Sequence, residues 1–409
     1  MLSRRRFLGT SALGSAVLTF GGQVPFAFGA SAVCTRSERI LVVVELQGGN
    51  DGLNTVVPVD DPVYRRLRPT VAIRKEDVLP IDQGLGFHGA LRGFADLLEA
   101  GRLAVISGVG YPDPNRSHFE SMDIWHTCQR KEEVRTDGWL GRWLEEPSGS
   151  SDRDPRALHL GAEKLPLALM SRTVRVPSVQ SLEQFRLQGA EDPKFLDAVQ
   201  ALSAAGRDGQ DDLLSFVQSS TTSALAASER LVTASNAKTS SIVWPTTQLA
   251  KQLQTVSHLI RSDMGTSVYY VSHGGFDTHA QQPDAHRSLL RQLGDSVKAL
   301  LDELQESGQA DRVVVMCFSE FGRRVEQNAS DGTDHGTAGP VILAGAGLHQ
   351  GLVGVMPRLD DLQDGDLKHT VDFREVYSAV INNWFGIPSE RILKGQWMPV
   401  NIFQTQVKK

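Results

Sequence analysis

The chain alternates between short apolar runs and longer segments in which apolar residues recur every three or four positions. The short runs are continuous and β-branched, which is typical of strands buried on both faces of a parallel sheet. The longer segments have the periodicity of amphipathic helices. The predicted strands are Ile40–Leu46, Leu103–Ile106, Val268–Val271, Val313–Phe318 and Val341–Ala344, and the predicted helices are Ala90–Leu98, His118–Thr127, Leu249–Ile260, Ala285–Leu304 and Phe373–Phe385. This alternation predicts a three-layer α/β fold, with helices on both faces of a mostly parallel central sheet.

Residues 180–262 depart from that alternation. They contain few strand-like runs and are rich in Ala, Ser, Gln and Leu. We expect a helical insertion within a single domain that spans residues 33–409, with a separately folded domain as the alternative.

The first 32 residues are typical of an export signal. Ser3-Arg4-Arg5-Arg6-Phe7-Leu8 contains the paired arginines of a twin-arginine signal, a weakly apolar stretch follows, and Ala30-Ser31-Ala32 suits a cleavage site. Glycines and Gln23 interrupt the apolar stretch, which argues against a membrane anchor. We therefore expect a periplasmic or secreted protein that folds before export and has no membrane span after processing.

The net charge of the chain limits the classes of partner that are expected. The formal charge is −6, and removal of residues 1–32, which hold three arginines and no acids, makes it −9. An acidic surface repels phosphate backbones, so nucleic acid is not an expected partner.

Polar motifs follow the ends of several apolar runs. Loops at the carboxyl ends of parallel strands converge on one crevice, so residues far apart in sequence are expected to share a site. The motifs are Gly48-Gly49-Asn50-Asp51-Gly52, Asn115-Arg116-Ser117-His118, Gly275-Phe276-Asp277-Thr278-His279, Ser319-Glu320-Phe321-Gly322 and Asp334-His335-Gly336.

Asp51 ends a glycine-rich turn that follows the first predicted strand. Such a turn lets the backbone approach a ligand closely and presents the carboxylate to a cation. The alternative is an aspartate that caps the next turn.

Ser117 precedes the predicted helix that starts at His118. It is therefore a natural N-cap, which is the structural alternative. A hydroxyl at a helix N-terminus also lies in a field that favours anions, and a nearby cation would make it a nucleophile. Arg116 is suited to hold an anionic oxygen.

Four further residues are candidate metal ligands. Asp277 and His279 lie two positions apart, so in extended backbone both side chains leave the same face. A carboxylate with an imidazole suits zinc or a similar metal. Glu320 follows a buried strand, and His335 lies just before the next one.

Taken together, the motifs resemble the bacterial domain-of-unknown-function family 1501, over about residues 38–390. The residues that carry the resemblance are Leu46-Gln47-Gly48-Gly49-Asn50-Asp51-Gly52-Leu53-Asn54, Asn115-Arg116-Ser117-His118-Phe119-Glu120, Gly138-Trp139-Leu140-Gly141-Arg142, Phe276-Asp277-Thr278-His279, Ser319-Glu320-Phe321-Gly322-Arg323, Asp334-His335-Gly336 and Val371-Asp372-Phe373-Arg374. That family is usually grouped with the alkaline phosphatase/sulfatase superfamily, whose members use two metal ions and a Ser, Thr or modified Cys nucleophile.

The resemblance implies roles for individual residues. Asp51 matches the early metal-binding aspartate, and Ser117 matches the nucleophile. Asp277 and His279 resemble the superfamily's aspartate–histidine pair at a closer spacing, and His335 resembles the late histidine. Glu320-Phe321 stands where an Asp-His pair is expected, a departure that leaves one metal ion or none as alternatives to two.

The predicted function is an exported, metal-dependent hydrolase of phosphate or sulfate esters. In it, Asp51, Asp277, His279, Glu320 and His335 bind one or two divalent ions, and Ser117 attacks a small anionic ester that Arg116 holds. Zinc is the favoured ion, with manganese and calcium as alternatives. Two other functions stay open: a non-catalytic exported binding or assembly protein on the same fold, and a metal-dependent hydrolase of another bond in which Ser117 only caps a helix.

Overall fold

The computed structural model describes residues 39–82, 84–147, 154–179 and 240–404. The predicted signal sequence and most of the predicted insertion, residues 180–239, lie outside the described residues. The strands are β1 Ile40–Leu46, β2 Val56–Pro58, β3 Val78–Asp82, β4 Leu85–His88, β5 Leu103–Gly110, β6 Ala157–Leu160, β7 Ser178–Val179, β8 Val268–His273, β9 Val313–Ser319, β10 Gly339–Gly345, β11 Gly351–Val353, β12 Leu362–Gln363, β13 Asp366–Leu367 and β14 Val371–Asp372. The helices are α1 Gly52–Thr55, α2 Pro62–Leu67, α3 Arg92–Glu99, α4 His118–Thr127, α5 Trp139–Glu145, α6 Gln248–Arg261, α7 Gln282–Glu306, α8 Phe373–Ala379 and α9 Glu390–Leu393.

The central sheet has nine described strands in the order β11-β5-β10-β9-β1-β8-β6-β7, and β14 pairs with the carboxyl end of β5. β1 lies between β8 and β9 and is parallel to both. β10 is antiparallel to its neighbours β5 and β9, and every other pairing in this sheet is parallel. The predicted mostly parallel sheet is therefore confirmed.

Helices cover both faces of the sheet. One apolar cluster contains Phe94 of α3, Leu253 of α6 and Leu300 of α7, packed with residues of β1 and β9 that face this side. A second cluster contains Trp125 of α4 and Tyr377 of α8, packed with the residues that face the other side. Strand residues divide between the clusters because successive side chains of a strand point to opposite faces. The expected three layers are present.

The sequence pattern predicted which strands and helices are present more accurately than it predicted where each begins and ends. β5 extends to Gly110, and β10 starts at Gly339. The helix predicted as Phe373–Phe385 is α8 followed by a π-helical turn, Val380–Trp384. Among the described residues, no helix has both the length and the apolar character that crossing a bilayer requires.

The topology brings the polar motifs to one edge of the sheet. β1, β8 and β9 are parallel, and Leu46 is in register with His273 and with Ser319, so the turns that follow these strands leave side by side. Gly48 shows how closely two of these turns approach. It has φ of 113°, and a Cβ there would lie 2.5 Å from the backbone nitrogen of Asp277.

Candidate metal centre

Three imidazoles converge on one oxygen of Asp277 at this edge. The Nε2 atoms of His279 and His335 each lie 3.1 Å from Asp277 Oδ1, and His118 Nε2 lies 3.4 Å from the same oxygen. His279 Nε2 and His335 Nε2 are 2.9 Å apart. Residues from the turn after β8, the start of α4 and the loop before β10 thus meet at one point.

Each imidazole is held through its other ring nitrogen. Nδ1 of His118 lies 2.8 Å from Glu320 Oε1, and Nδ1 of His279 lies 3.0 Å from Asp334 Oδ1. His335 Nδ1 lies 2.8 Å from the carbonyl oxygen of Arg116. Because all three partners are acceptors, each Nδ1 carries the hydrogen and each Nε2 presents a lone pair to the centre.

This arrangement fits a metal ion. Lone pairs at these distances repel one another unless a proton or a cation lies among them, and His118 Nε2 is a buried atom without a hydrogen-bond partner. Ligating histidines typically donate their other N–H to a carboxylate or backbone carbonyl, as all three do here. Ligand atoms about 2.0–2.1 Å from zinc in a tetrahedral site lie about 3.3 Å apart, close to the observed spacings. His118, Asp277 and His335 form a candidate metal-binding group, and His279 adjoins it.

Arg323 fixes the aspartate within the cluster. Its Nη2 donates to Asp277 Oδ1 at 2.7 Å, and its other donors bind the carbonyl oxygens of Gly49, Thr333 and Phe276 at 2.7, 2.8 and 3.0 Å. The guanidinium therefore fastens the turns after β1 and β8 to the loop before β10. Asp277 Oδ2 has no partner among the described residues, and the side chain is 49% exposed.

The charges around the cluster balance with a divalent cation. Three carboxylates surround it, those of Asp277, Asp334 and Glu320, and Arg323 supplies one positive charge in direct contact. With neutral imidazoles, two further positive charges make the group neutral. An excess of negative charge attracts a cation, so this balance favours an ion of charge +2.

The titration of the cluster follows from these contacts. Partial burial raises the pKa of Asp277, but the hydrogen bond and the positive charge of Arg323 outweigh it and bring that pKa to about 2. The hydrogen bond to Glu320 raises the pKa of His118. Burial lowers the pKa of His335 despite the nearby carboxylate of Asp277. The carboxylate is therefore ionised, and His335 tends to be neutral, which is the form that binds a metal.

Glu320 and Phe321 contact the histidines of the cluster and hold them in place. Glu320 was predicted as a ligand, but it is buried and its oxygens accept hydrogen bonds from His118, Ser319 Oγ at 2.9 Å and the Gly48 amide at 2.9 Å. It therefore orients His118. The buried Phe321 ring packs 4.9 Å from the rings of both His118 and His335, so the position expected to hold a second histidine is an apolar wall.

Asp51, also predicted as a ligand, lies outside the cluster. Its side chain is 0% exposed, and its oxygens accept from Arg68 Nη1 at 2.7 and 3.0 Å. Gln282 donates to it as well, and it caps α1 through the amide of Asn54. Burial raises the pKa of Asp51, but Arg68 outweighs it and holds that pKa below its usual range. This environment matches the capping alternative, because the arginine already neutralises the carboxylate.

Ser117 occupies the N-cap position of α4, but its hydroxyl makes no capping bond. The side chain is exposed and directly precedes His118 of the cluster. The Arg116 guanidinium donates to buried Asp366, and the Arg116 carbonyl oxygen accepts from His335. Asn115 Oδ1 accepts from the Ser117 amide at 2.8 Å, which shapes this turn. The loop thus places an exposed serine directly before the candidate ligand His118.

Three residues of the site, His118, Asp334 and Arg323, lie in the predicted motifs but outside the predicted ligand set. A signal for His118 was present, because it starts a helix at the carboxyl edge of the sheet, where the other ligands were expected.

A family profile described as "Protein of unknown function (DUF1501)" matches residues 106–395. The chain belongs to this family. The match includes all residues of the cluster but begins after β1 and Asp51. No curated protein matches this DUF1501 chain.

Solved structures similar to this DUF1501 protein include sulfatases and related proteins. A 2-O GAG sulfatase has a TM-score of 0.39 and 7% identity, over 89% of this chain and 76% of its own. The lipoteichoic acid synthase LtaP from Listeria monocytogenes has a TM-score of 0.35 and 9% identity, over 90% and 76%. The C-terminal periplasmic domain of EcEptC from Escherichia coli, in complex with Zn, has a TM-score of 0.35 and 9% identity, over 76% and 75%.

Proposed function

We propose that this protein binds one divalent metal ion through His118, Asp277 and His335, with His279 as a fourth ligand, and uses it to hydrolyse a phosphate or sulfate ester. The observation that carries the proposal is the set of three Nε2 lone pairs around one carboxylate oxygen, each imidazole held by an acceptor on Nδ1. An imidazole-rich set suits zinc better than manganese or calcium, which prefer oxygen ligands. The displacement of Asp51 and Glu320 from the cluster favours one ion over two.

The residues beside the cluster support ester chemistry. The Ser117 hydroxyl is exposed and caps no helical amide, and it lies at the N-terminus of α4, whose partial positive charge favours an incoming anion. When bound, the ion would act as a Lewis acid toward an ester oxygen.

Ser117 is the proposed nucleophile. Its Oγ attacks the phosphorus or sulfur atom, and the bond from that atom to the leaving alcohol oxygen breaks. The alcohol leaves with the proton that Ser117 gives up. Water then attacks the seryl ester, which releases phosphate or sulfate and restores the hydroxyl.

Elemental analysis is the first test. The mature protein, purified without chelators or a histidine tag, is expected to hold close to one equivalent of zinc or manganese. His335→Ala is expected to lose it, and the control His349→Ala, which changes an exposed histidine away from the cluster, is expected to retain it. A metal-free wild type after reconstitution would refute the proposal.

Hydrolysis of 4-nitrophenyl phosphate and 4-nitrophenyl sulfate tests the reaction. Ser117→Ala is expected to keep its metal and to lose at least about a hundredfold in kcat. Full activity in Ser117→Ala would assign the attack to water instead of the serine. Metal binding without hydrolysis of any ester in a wider panel would favour the non-catalytic binding or assembly protein.

We also propose export through the twin-arginine signal at Arg4-Arg5. Replacement of both arginines by lysine keeps the charge but changes the recognised side chains. The variant is expected to stay in the cytoplasm in a fractionation experiment, and its export would contradict the proposal.

A further inference from the structure

A buried carboxylate lies near the carboxyl end of β1. Glu45 is the one charged residue in the apolar run Ile40–Leu46, and its side chain is 1% exposed. Its Oε1 lies 2.8 Å from His126 Nε2, and its Oε2 accepts from Ser272 Oγ at 2.9 Å and from Gln47 Nε2 at 3.0 Å. Both oxygens are therefore hydrogen-bonded, and the carboxylate joins β1 to β8 and to α4.

The bond between Glu45 and His126 supplies direction. Burial raises the pKa of Glu45, but its hydrogen-bond partners, His126 first among them, outweigh burial and hold that pKa below its usual range. The ionised carboxylate only accepts, so His126 Nε2 donates. Replacement of buried ionic groups by well-packed apolar groups often leaves stability unchanged, so stability alone does not account for this pair. A hydrogen bond, unlike apolar burial, restricts both the distance and the angle between its groups.

Apolar packing alone leaves the position of α4 loosely fixed. The central contact of this helix is Trp125, whose ring stacks on those of Phe318 and Phe373 at interplanar angles of 13° and 21°. Such ring pairs are favourable over a range of centroid distances, about 4.5–7 Å. The exact placement of α4 on the sheet therefore depends on its hydrogen bonds.

Among the described residues, side-chain hydrogen bonds hold α4 to the sheet at two places. In the first turn, His118 Nδ1 donates to Glu320 Oε1 at 2.8 Å, and Ser121 Oγ donates to the Glu320 carbonyl at 2.6 Å. His126 makes the second attachment, about 12 Å further along the helix axis. Arg142 of α5 also binds the last turn of α4, but it does not link that turn to the sheet. Loss of the His126 bond would leave the helix held to the sheet at its first turn, where it can pivot.

We propose that Glu45 and His126 are positioning residues of the candidate metal centre, because their hydrogen bond fixes α4 on the sheet and so places His118 among the other ligands. The same contact places Ser117, which directly precedes the helix. Metal–ligand distances vary by only about 0.2 Å, so a small pivot of α4 would move His118 Nε2 out of bonding distance. The inference rests on the proposed metal binding, but the position of His118 is also measurable in the metal-free protein.

His159 of β6 provides a matched control. The rings of His126 and His159 both lie 6.3 Å from the ring of Tyr270. His159 is 0% exposed, and its Nδ1 lies 2.7 Å from Ser178 Oγ. Replacement of either histidine by leucine thus removes a buried hydrogen bond beside Tyr270, and only the change at His126 releases α4.

The first readout is the zinc affinity of the folded mature protein, measured by competition with a chromophoric chelator. His126→Leu is expected to lower the affinity about tenfold or more, as the loss of contacts around metal ligands does. His159→Leu is expected to match the wild type, and His126→Gln, which keeps an N–H donor, is expected to recover most of the affinity. An unchanged affinity in His126→Leu, an equal loss in both leucine variants, or no recovery in His126→Gln would overturn the inference.

The second readout is the Nδ1–H resonance of His118 in metal-free protein with isotope-labelled histidine. Its absence in His118→Gln assigns it, and its position reports the hydrogen bond to Glu320. The resonance is expected to shift or broaden in His126→Leu and to stay unchanged in His159→Leu. If His126→Leu does not fold, Glu45→Gln, which keeps a weaker acceptor, is measured in its place. An unchanged resonance in the variant measured would overturn the inference.

The outcomes separate this inference from the proposed function. A wild type that holds no metal after reconstitution would refute the metal site, and the His118 resonance would then decide alone whether the pair positions α4. Equal zinc binding by the wild type and His126→Leu would keep the metal site and refute the positioning role.

Discussion

Two neighbouring turns of this protein have almost the same sequence pattern and opposite environments. Gly48-Gly49-Asn50-Asp51 follows β1, and Gly274-Gly275-Phe276-Asp277 follows the adjacent parallel strand β8. Each aspartate accepts hydrogen bonds from a buried arginine, Arg68 in the first turn and Arg323 in the second. The Asp51 side chain is 0% exposed and the Asp277 side chain is 49% exposed.

The two aspartates differ in exposure because different residues cover the two turns. Gly52, directly after Asp51, packs so tightly that a Cβ there would lie 2.5 Å from Pro340 Cδ, and Gln282 of α7 covers the carboxylate. Asp277 instead opens toward the start of α4 and the loop before β10, which bring histidines to it. The same sequence motif can therefore hold a buried, structural carboxylate or an exposed candidate ligand, and the burial of the aspartate distinguishes the two.

Replacement of each aspartate by alanine should give the largest difference between the two turns, measured as the free energy of unfolding. Asp51→Ala leaves the Arg68 charge buried without its partner, and such losses amount to about 3–5 kcal/mol in the free energy of unfolding. Asp277→Ala, in the presence of chelator, is expected to lose less than Asp51→Ala, because the Asp277 side chain is 49% exposed and water can replace its carboxylate beside Arg323. Urea unfolding measures both. Equal losses in the two variants would show that both turns are structural, and Asp51→Asn replaces the alanine variant if that variant does not fold.

The free energy of unfolding should also depend on pH, through a buried histidine beside the first turn. Burial lowers the pKa of His286, which contacts Asn50 of the first turn, from 6.5 to about 4. The unfolded chain therefore takes up this proton first as the pH falls. Stability is complete above pH 6.5 and decreases toward pH 4, by up to about 3 kcal/mol.

Unfolding measured between pH 7.5 and 4.5 tests this dependence. His286→Gln is expected to reduce the slope, with the remainder supplied by other buried histidines such as His88, whose pKa burial also lowers to about 4. His349→Gln, on the exposed surface, is expected to leave the slope unchanged. A wild-type slope that persists in His286→Gln would assign the acid sensitivity to other groups.

At the cluster around Asp277, Glu320→Gln should weaken metal binding without abolishing it. The change removes the charge that holds His118 Nδ1, and loss of such outer contacts typically lowers metal affinity about 10–100-fold. Competition with a chromophoric chelator measures the affinity, with Glu326→Gln on the exposed surface as the control. A loss as large as that of Asp277→Ala would make Glu320 a ligand, and no loss would remove His118 from the site.

The smallest expected effect is that of Ser117→Ala on stability. Its hydroxyl caps no amide, so the free energy of unfolding is expected to change by less than about 0.5 kcal/mol. Thr247→Ala, which removes a hydroxyl that accepts from the Ala250 amide at the start of α6, is expected to lose about 1 kcal/mol. Equal losses would mean that Ser117 is a helix cap after all.

The fold was largely predictable because its main signal is local. β1 is a continuous apolar run, and α7 repeats apolar residues at helical spacing, so both follow from the sequence pattern. The antiparallel direction of β10 was not predictable, since an apolar run does not encode which way the chain crosses the sheet. The short three-stranded sheet of β2, β4 and β3 also lacks a clear pattern.

The site was predictable in part. Asp277, His279 and His335 were selected because each lies next to an apolar run, and the structure brings them together. Asp51 shares that signal, but its partner Arg68 is 17 residues away and belongs to no motif. The choice between a buried ion pair and a metal ligand depends on such long-range contacts, which one sequence does not display.

The contacts of Arg323 determine when, during synthesis and folding, the proposed metal ion can bind. This side chain ties together carbonyl groups of Gly49 and Thr333, and the first lies 274 residues from it along the chain. A nascent polypeptide therefore has no binding site until nearly all of it has been made and the sheet has assembled. If a twin-arginine pathway then carries the folded protein outward, loading takes place in the cytoplasm, and the ion found in the exported protein reflects the cytoplasmic metal supply.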